Sequence, residues 1–303
     1  MKKIIVIGSC NTDMVVRSKR IPVPGETILG GKFMMNPGGK GANQAVAAAR
    51  LGGDVTFIAR VGDDMFGRQS VELYKKEGID TRYITTDPTE DSGVALIMVD
   101  EKGENCISVA SSANDTLKRP QIDAAKSIFH EGDIMLMQLE TPLPTIEYAA
   151  RIASERGLKV ILNPAPAREL PESLLRNLYM IIPNETEASL MSGINITDIK
   201  TAREAADAIA AKGVDIVVIT MGKRGALVKN GNDCELVPTF KADAVDTTAA
   251  GDTFCGALCV ALAEGRGIRE AVEFGNRAAS ISVTRAGAQA SIPTRAELEE
   301  KDK

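Results

Sequence analysis

Short apolar runs alternate along this chain with longer stretches of helical periodicity. Ile4–Ile7, Asp133–Met137, Lys159–Leu162, Tyr179–Ile182 and Asp215–Ile219 have strand length and almost no internal polarity, the pattern of strands buried on both faces. Between them Pro144–Arg156, Pro171–Asn177, Glu185–Ser192 and Thr201–Lys212 predict helices, and Val55–Ile58 with Gly67–Glu77 adds another unit. Such β–α alternation predicts an α/β fold: a mostly parallel central sheet flanked by helices on both faces. Two regions break the rhythm. Asp13–Met35 holds short β-prone pieces between prolines and glycines, and Ser92–Ala110 reads as a hairpin, Gly93–Val99 and Asn105–Val109 around Asp100-Glu101-Lys102-Gly103. Residues 13–35 and 92–110 are therefore expected to form a small β-sheet lid on one domain spanning 1–303. Its exposed face is expected to carry Val94, Leu96, Met98 and Ile107, which need a cover from a partner or from the domain itself. The tail Glu297–Lys303 looks dispensable.

Composition narrows the classes. The 303 residues are 44% hydrophobic and 25% charged, with net charge −5 and no basic run, so a nucleic-acid partner is not expected. Five cysteines (Cys10, Cys106, Cys234, Cys255, Cys259) fit no zinc spacing, and free thiols in a reducing cytoplasm account for them. The single histidine, His130, argues against a Ser-His-Asp triad. Met1-Lys2-Lys3, Ile4–Ile7 and Gly8-Ser9-Cys10 superficially resemble a lipoprotein signal, but the apolar stretch falls short of the roughly 7–15 residues needed and reads as a first strand. No segment approaches the ~18 apolar residues of a membrane span.

Two glycine-containing stretches carry the candidate chemistry. In Asp246–Gly256 small residues lead into a helix beginning near Ala249–Gly251, whose free first-turn N–H groups make an anion site. Asp252 beside that site either complements the helix start or removes a proton from a hydroxyl while the N–H groups hold phosphoryl charge. Far upstream, Asn36–Gln44 sets glycines around Lys40 and runs into the small-residue helix Ala45–Arg50, suited to tight packing. It is not a P-loop, and it is a poor dinucleotide fingerprint: the pattern fails at Gln44 and no strong strand is predicted immediately before it.

Together the two stretches resemble the signatures of the ribokinase-like sugar kinases, the PfkB carbohydrate kinase family. Gly38–Ala45 is similar to the first signature and Asp246–Gly256 to the second. The likeness spans nearly the whole chain, through Gly8–Asp13, Met137–Glu140, Asn163–Pro171, Pro183–Glu187 and Val283–Gln289. It implies ATP-dependent phosphorylation of D-ribose at the 5-hydroxyl, with Asp252 as general base and an anion hole at Ala249, Ala250 and Gly251. It assigns the sugar to Asn11, Asp13, Gly39, Lys40, Gly41, Asn43 and Glu140. It assigns ATP to Asn184, Thr220, Gly222, Lys223, Gly225, Gly251 and Asn276, and magnesium and phosphate placement to Asn184 and Glu187. A potassium site is implied at Asp246, Thr248, Ser282, Arg285, Gly287 and Ser291, mostly through backbone carbonyls, and a homodimer is implied through the lid. From spacing alone, Glu187 reads rather as a solvated residue of a first helical turn, and Lys223 and Arg224 equally as surface charges.

The polar residues after the predicted strands fit a ligand edge, since open α/β sheets bind at strand carboxyl ends. Asn11 and Asp13, Gln138 and Glu140, Asn163, Asn184 and Glu187, and Thr220 and Lys223 all follow predicted strands. One departure concerns the lid: Val109–Asn114 lacks the bulkier residue the family places there, which bears on substrate preference. The alternatives are a kinase for 2-deoxyribose, fructose or adenosine, and a non-catalytic sugar or nucleotide sensor. A dinucleotide-dependent dehydrogenase would need a Gly-rich turn after the first strand, which Gly8-Ser9-Cys10-Asn11 does not provide.

Overall fold

The computed structural model describes residues 1–300. Strands β1 (Ile4–Ile7), β2 (Asn11–Arg17) and β3 (Lys32–Gly38) precede helix α1 (Lys40–Arg50). Next come β4 (Val55–Gly62), α2 (Met65–Lys76), β5 (Ile84–Asp87), β6 (Gly93–Val99), β7 (Asn105–Ala110) and α3 (Arg119–Ala125). The middle of the chain holds β8 (Ile134–Met137), α4 (Leu143–Glu155), β9 (Lys159–Leu162), α5 (Glu172–Leu175), β10 (Met180–Ile181), α6 (Glu185–Ser192) and α7 (Ile199–Ala210). It closes with β11 (Ile216–Thr220), β12 (Ala226–Asn230), β13 (Asp233–Val237), α8 (Ala250–Ala263), α9 (Ile268–Ser282) and α10 (Arg295–Glu300).

Nine strands form one sheet in the order β13-β12-β11-β10-β9-β8-β1-β4-β5, parallel from β11 to β5. Strand side chains alternate between its two faces. Ile4, Val6, Phe57, Leu136 and Val218 pack with α1, α8 and α9 on one side. Ile5, Ile7, Ile58, Met137 and Val217 pack with α3, α4 and α7 on the other. Both layers are dominated by apolar side chains, which explains the unbroken apolar runs of the central strands.

Several boundaries differ from the sequence reading. The 179–182 strand shrinks to Met180–Ile181 and the 171–177 helix to Glu172–Leu175. The antiparallel edge β12–β13 and the edge strand β5 were not anticipated. Edge strands carry mixed polarity, so they lack the apolar signature of buried ones. A strand, β3, does lead directly into α1 with only Gly39 between them, contrary to expectation, although it belongs to the small sheet. The tail is not dispensable as far as it is described: Leu298 is buried and Glu297 pairs with Arg285. The remainder of that predicted tail, 301–303, lies outside the described residues.

The second sheet has the order β3-β2-β6-β7, with β2 starting at Asn11 and β3 ending at Gly38, so it begins and ends closer to the main sheet than the predicted bounds. Its register corrects the expected exposed face, because residues directly paired across strands share a face. Leu96 and Met98 align with Met14 and Val16, and these with Met35 and Phe33, on one face. Val94 lies on that face too, whereas Ile107 pairs with Ile97 and Val15 on the opposite one, together with Asn11 and Asp13. Phe33, Met35, Leu96, Met98, Ile107 and Val109 are all exposed, so both faces offer uncovered apolar side chains. Among the described residues no helix is long and apolar enough to cross a membrane.

Candidate active site

The turn out of β1 and the start of α1 lie against each other so closely that side chains do not fit between them. A Cβ on Gly41 would sit 2.6 Å from the Gly8 carbonyl carbon, and Gly39 holds φ +89°, a conformation most residues avoid. Helix α1 has no capping side chain of its own. Glu140, just past β8, serves instead: its Oε2 accepts from the Lys40 backbone N–H (3.0 Å) and from Ser9 Oγ (2.6 Å). A carboxylate at a helix N-terminus is favoured by the helix dipole.

Asn11 and Asp13 project from the β2 face that carries Ile107. Asn114 fixes Asn11, donating Nδ2 to its Oδ1 (2.8 Å) while accepting from the Cys10 N–H (2.9 Å). This turns the NH2 end of Asn11 away from Asn114. Burial, with Glu140 and Asp252 nearby, pushes the Asp13 carboxyl up to about 6.

Helix α8 starts at Ala249, which adopts a left-handed φ of 58° and gives no side-chain cap. A Cβ in that conformation costs about 1–2 kcal/mol, so the loop is held there by its surroundings. Asp252, in the first turn and only 6% exposed, does not cap the helix. Its Oδ1 accepts from Gln44 Nε2 (2.9 Å) and its Oδ2 from Asn43 Nδ2 (3.0 Å), both on α1. The capping alternative for Asp252 therefore falls. Small residues bring the two helices this close: a Cβ on Gly256 would meet Ala47 at 2.7 Å. Asn43 Oδ1 is buried without a protein partner, an acceptor ready for a hydroxyl.

Burial opposes the charge of Lys40, yet Asp252, Glu140 and Glu187 outweigh it and raise its pKa. Asn184 and Glu187 form a reciprocal cap at the start of α6: Asn184 Oδ1 accepts from the Glu187 N–H, and Glu187 Oε2 from the Asn184 N–H, both 2.8 Å. Glu187 is 6% exposed, so the reading of it as a solvated first-turn residue is overturned. Burial raises its pKa, opposed by the Asn184 N–H and Lys40.

Two cavities meet at the α8 N-terminus. A cleft of about 720 Å³ is lined by Thr220, Gly222, Lys223, Gly225, Asn276 and Gly251, among others. A pocket of about 200 Å³ is lined by Lys40, Asn163, Asn184, Glu187, Asp252 and Gly251, among others. Thr220, Thr247 and Gly251 belong to both, so the cleft opens toward Asp252. Asn276 borders the cleft while its Nδ2 donates to the Val237 carbonyl (3.1 Å). Arg224 turns to Glu185 and does not line the cleft.

The 246–248 loop is tied to the turn after α9. Asp246 accepts from the Thr248 N–H and hydroxyl and from the Gly287 N–H (2.9 Å), while the Val245 N–H donates to the Val283 carbonyl (2.7 Å). Burial opposes the ionised Asp246, but those bonds win and lower its pKa. The side chains of Arg285 and Ser291 turn elsewhere, to Glu297 and the Ala288 carbonyl, so these two residues offer an ion there their backbone oxygens. Backbone carbonyls suit a monovalent ion. Among the described residues no three His, Cys, Asp or Glu side chains converge as a metal cage. The small pocket offers two carboxylates, Glu187 and Asp252, a donor set compatible with a magnesium ion held mainly by phosphates and water.

Sequence reasoning gave no role to Ser9, Gln44 or Asn114, and it placed Gln138 and Asn163 on the ligand edge without a role. Gln44 stood inside the first glycine-rich stretch, and Gln138 and Asn163 at strand carboxyl ends, so position was their only signal.

The profile of pfkB family carbohydrate kinases matches residues 1–295. A ribokinase of Haemophilus influenzae is 45% identical over 296 residues, covering 98% of this chain and 97% of that protein. A deoxyribokinase of Salmonella typhi is 36% identical, covering 96% of this chain and 95% of that protein. The structure of Arabidopsis thaliana ribokinase complexed with ribose and ATP superposes with a TM-score of 0.91 at 30% identity, covering 99% of this chain and 98% of that one. The chain belongs to the pfkB family of carbohydrate kinases.

Proposed function

We propose that this chain is a ribokinase, transferring the γ-phosphoryl group of ATP to the 5-hydroxyl of D-ribose. The observation that carries the reading is Asp252: a buried carboxylate held by two amide donors, where a nucleotide-sized cleft meets a small polar pocket at a helix N-terminus. Asp252 takes the proton from the attacking hydroxyl. The N–H groups at Ala249 and Gly251, together with that of Ala250 once it leaves the Thr247 carbonyl to which it donates (3.2 Å), face the charge that builds on the transferred group, and Lys40 supplies a cation. Thr220, Gly222, Lys223, Gly225 and Asn276 line the nucleotide cleft.

The sugar lies against Asn11, Asp13, Gly39, Lys40, Gly41, Asn43 and Glu140. The Asp13 carboxylate accepts hydroxyl hydrogens, the NH2 end of Asn11 donates, and the unpartnered Oδ1 of Asn43 accepts. Magnesium would be held at Glu187 and Asn184 with the nucleotide phosphates; when bound it neutralises phosphate charge. Potassium would be held at Asp246, Thr248, Ser282, Arg285, Gly287 and Ser291, chiefly by backbone carbonyls. Its effect is to order the loop that shapes the anion hole.

The small sheet acts as a lid over the sugar, within a single domain, and a second copy of the chain covers its exposed apolar residues. Unpaired thiols, three of them buried, suit the cytoplasm. A second reading, 2-deoxyribose as acceptor, is favoured by the similarity to a deoxyribokinase. Competition between ribose and 2-deoxyribose for turnover separates the two: a higher kcat/KM for 2-deoxyribose overturns the first.

A further inference from the structure

Gln44 lies behind Asp252 and touches neither cavity. It is fully buried, and it is absent from the linings of both the cleft and the pocket. Its Nε2 donates to Asp252 Oδ1 (2.9 Å) and to Asn163 Oδ1 (3.0 Å), while its Oε1 accepts from Gln138 Nε2. Asn163 in turn donates Nδ2 to the Ile182 carbonyl (2.9 Å).

The sense of this chain is set at its far end. A backbone carbonyl accepts only, so Asn163 must present its NH2 end to Ile182 and its oxygen to Gln44. Gln44 must then present its NH2 end to Asn163, and that same end reaches Asp252. Turning the Gln44 amide over would set its oxygen against both Asn163 Oδ1 and the Asp252 carboxylate. Gln138 could follow such a turn, since its Oε1 has no protein partner, so the sense is held at Asn163 and Asp252. Buried mismatches at those two contacts cost free energy.

We propose that Gln44 is a positioning residue for the reaction: an amide relay anchored on the segments after β8 and β9 aims the Asp252 carboxylate. This rests on the reading of Asp252 as the base. Asn43 holds the other oxygen, but one bond leaves the carboxyl free to rotate, whereas two donors on opposite oxygens fix its plane. A hydrogen bond to the charged form also lowers the pKa of the acid. The charged and titratable groups facing Asp252 are Lys40 from α1, Glu187 from α6, Asp13 from β2 and Cys255 from α8. All of them stay in place when Gln44 alone is changed.

The experiment is kcat against pH at saturating ribose and MgATP for the parent, Gln44→Met and Gln44→Glu, with Asp252→Asn beside them and thermal melts to establish folding. Gln44→Met keeps the length and loses the donor. It is expected to lower kcat about 10–100-fold, the scale of one hydrogen bond to a charged group. The ribose KM should change less than about threefold, and the acid limb should move up by about one pH unit. Gln44→Glu places a second carboxyl beside the first and should move the limb further up. Should Gln44→Met melt before assay, the Gln44→Glu profile decides alone. If Asp252→Asn abolishes turnover while the limb stays put in the Gln44 variants, the relay is refuted and the base stands. If Asp252→Asn keeps turnover, the base itself is refuted.

Discussion

Replacing Asp252 by asparagine separates chemistry from architecture, because the structure gives a magnitude for each. The carboxylate accepts one bond from Gln44 and one from Asn43. An amide in its place keeps one acceptor oxygen, which the fixed Gln44 donor claims. The other end becomes an NH2 facing Asn43. Asn43 accommodates this by turning over, since its Oδ1 has no protein partner to lose. Two bonds to a charge become two neutral bonds, a loss of about 1–2 kcal/mol. Removing a negative charge relieves repulsion at Asp13 and Glu187 but takes away an attraction at Lys40, and the two effects oppose each other. For a chain of this size the melting temperature should therefore fall by at most about 8 °C. Turnover should fall roughly 10²–10⁴-fold, the contribution of a positioned acid–base group, or about 3–5 kcal/mol on the barrier. The assay is ADP release at saturating ribose and MgATP, paired with a melt of the same sample. A folded variant within about threefold of parental turnover would remove Asp252 from the chemistry.

Three other expectations follow from the same geometry. Asp13 is raised to about 6, so below that pH the sugar must expel a proton to bind. Ribose KM should then rise as pH falls below about 6, by up to about tenfold per unit, and stay flat above; Asp13→Asn should abolish the trend. The sign for stability is opposite: a raised acid stabilises the ligand-free fold when protonated, a contribution that is full below the ordinary value of 3.8 and lost as pH rises from there through about 6, which melts across that span can read. Asn11→Met removes the amide that Asn114 orients, so the preference for ribose over 2-deoxyribose should shrink about tenfold or more; unchanged selectivity would exclude Asn11 from the choice. A Leu96→Asp/Ile107→Asp double variant charges both faces of the small sheet and should turn the proposed dimer into a monomer in sedimentation; an unaltered dimer would place the interface elsewhere, and a parent that already sediments as a monomer would refute the dimer.

The central strands were legible because they are buried on both faces, and an apolar run such as Ile4–Ile7 has few other uses. Edge elements were not. β12 and β13 present one wet edge or face, with Lys229, Asn230, Asp233 and Glu235 among their residues, and so resemble loop in sequence. Likewise Ile107 was assigned to the wrong face of the small sheet. Face depends on register, and register is set by partners across the sheet that the local sequence does not name. At the site, the glycine-rich stretches and Asp252 stood out, since close backbone approach and a carboxylate beside an anion site leave residue signatures. The amides around Asp252 did not, because Gln44, Gln138 and Asn163 come from three distant segments and gain meaning only from the direction of their hydrogen bonds. Glu187 was named only through the family resemblance: spacing showed a first-turn acid, and packing showed that it is buried near Lys40.

The most direct test of the account is ADP release with MgATP across ribose, 2-deoxyribose, fructose and adenosine, each with and without potassium. The account predicts turnover that depends on ribose above the other acceptors and rises with potassium. Turnover highest with another acceptor would contradict the assignment of ribose, and no turnover with any of them would contradict the kinase itself.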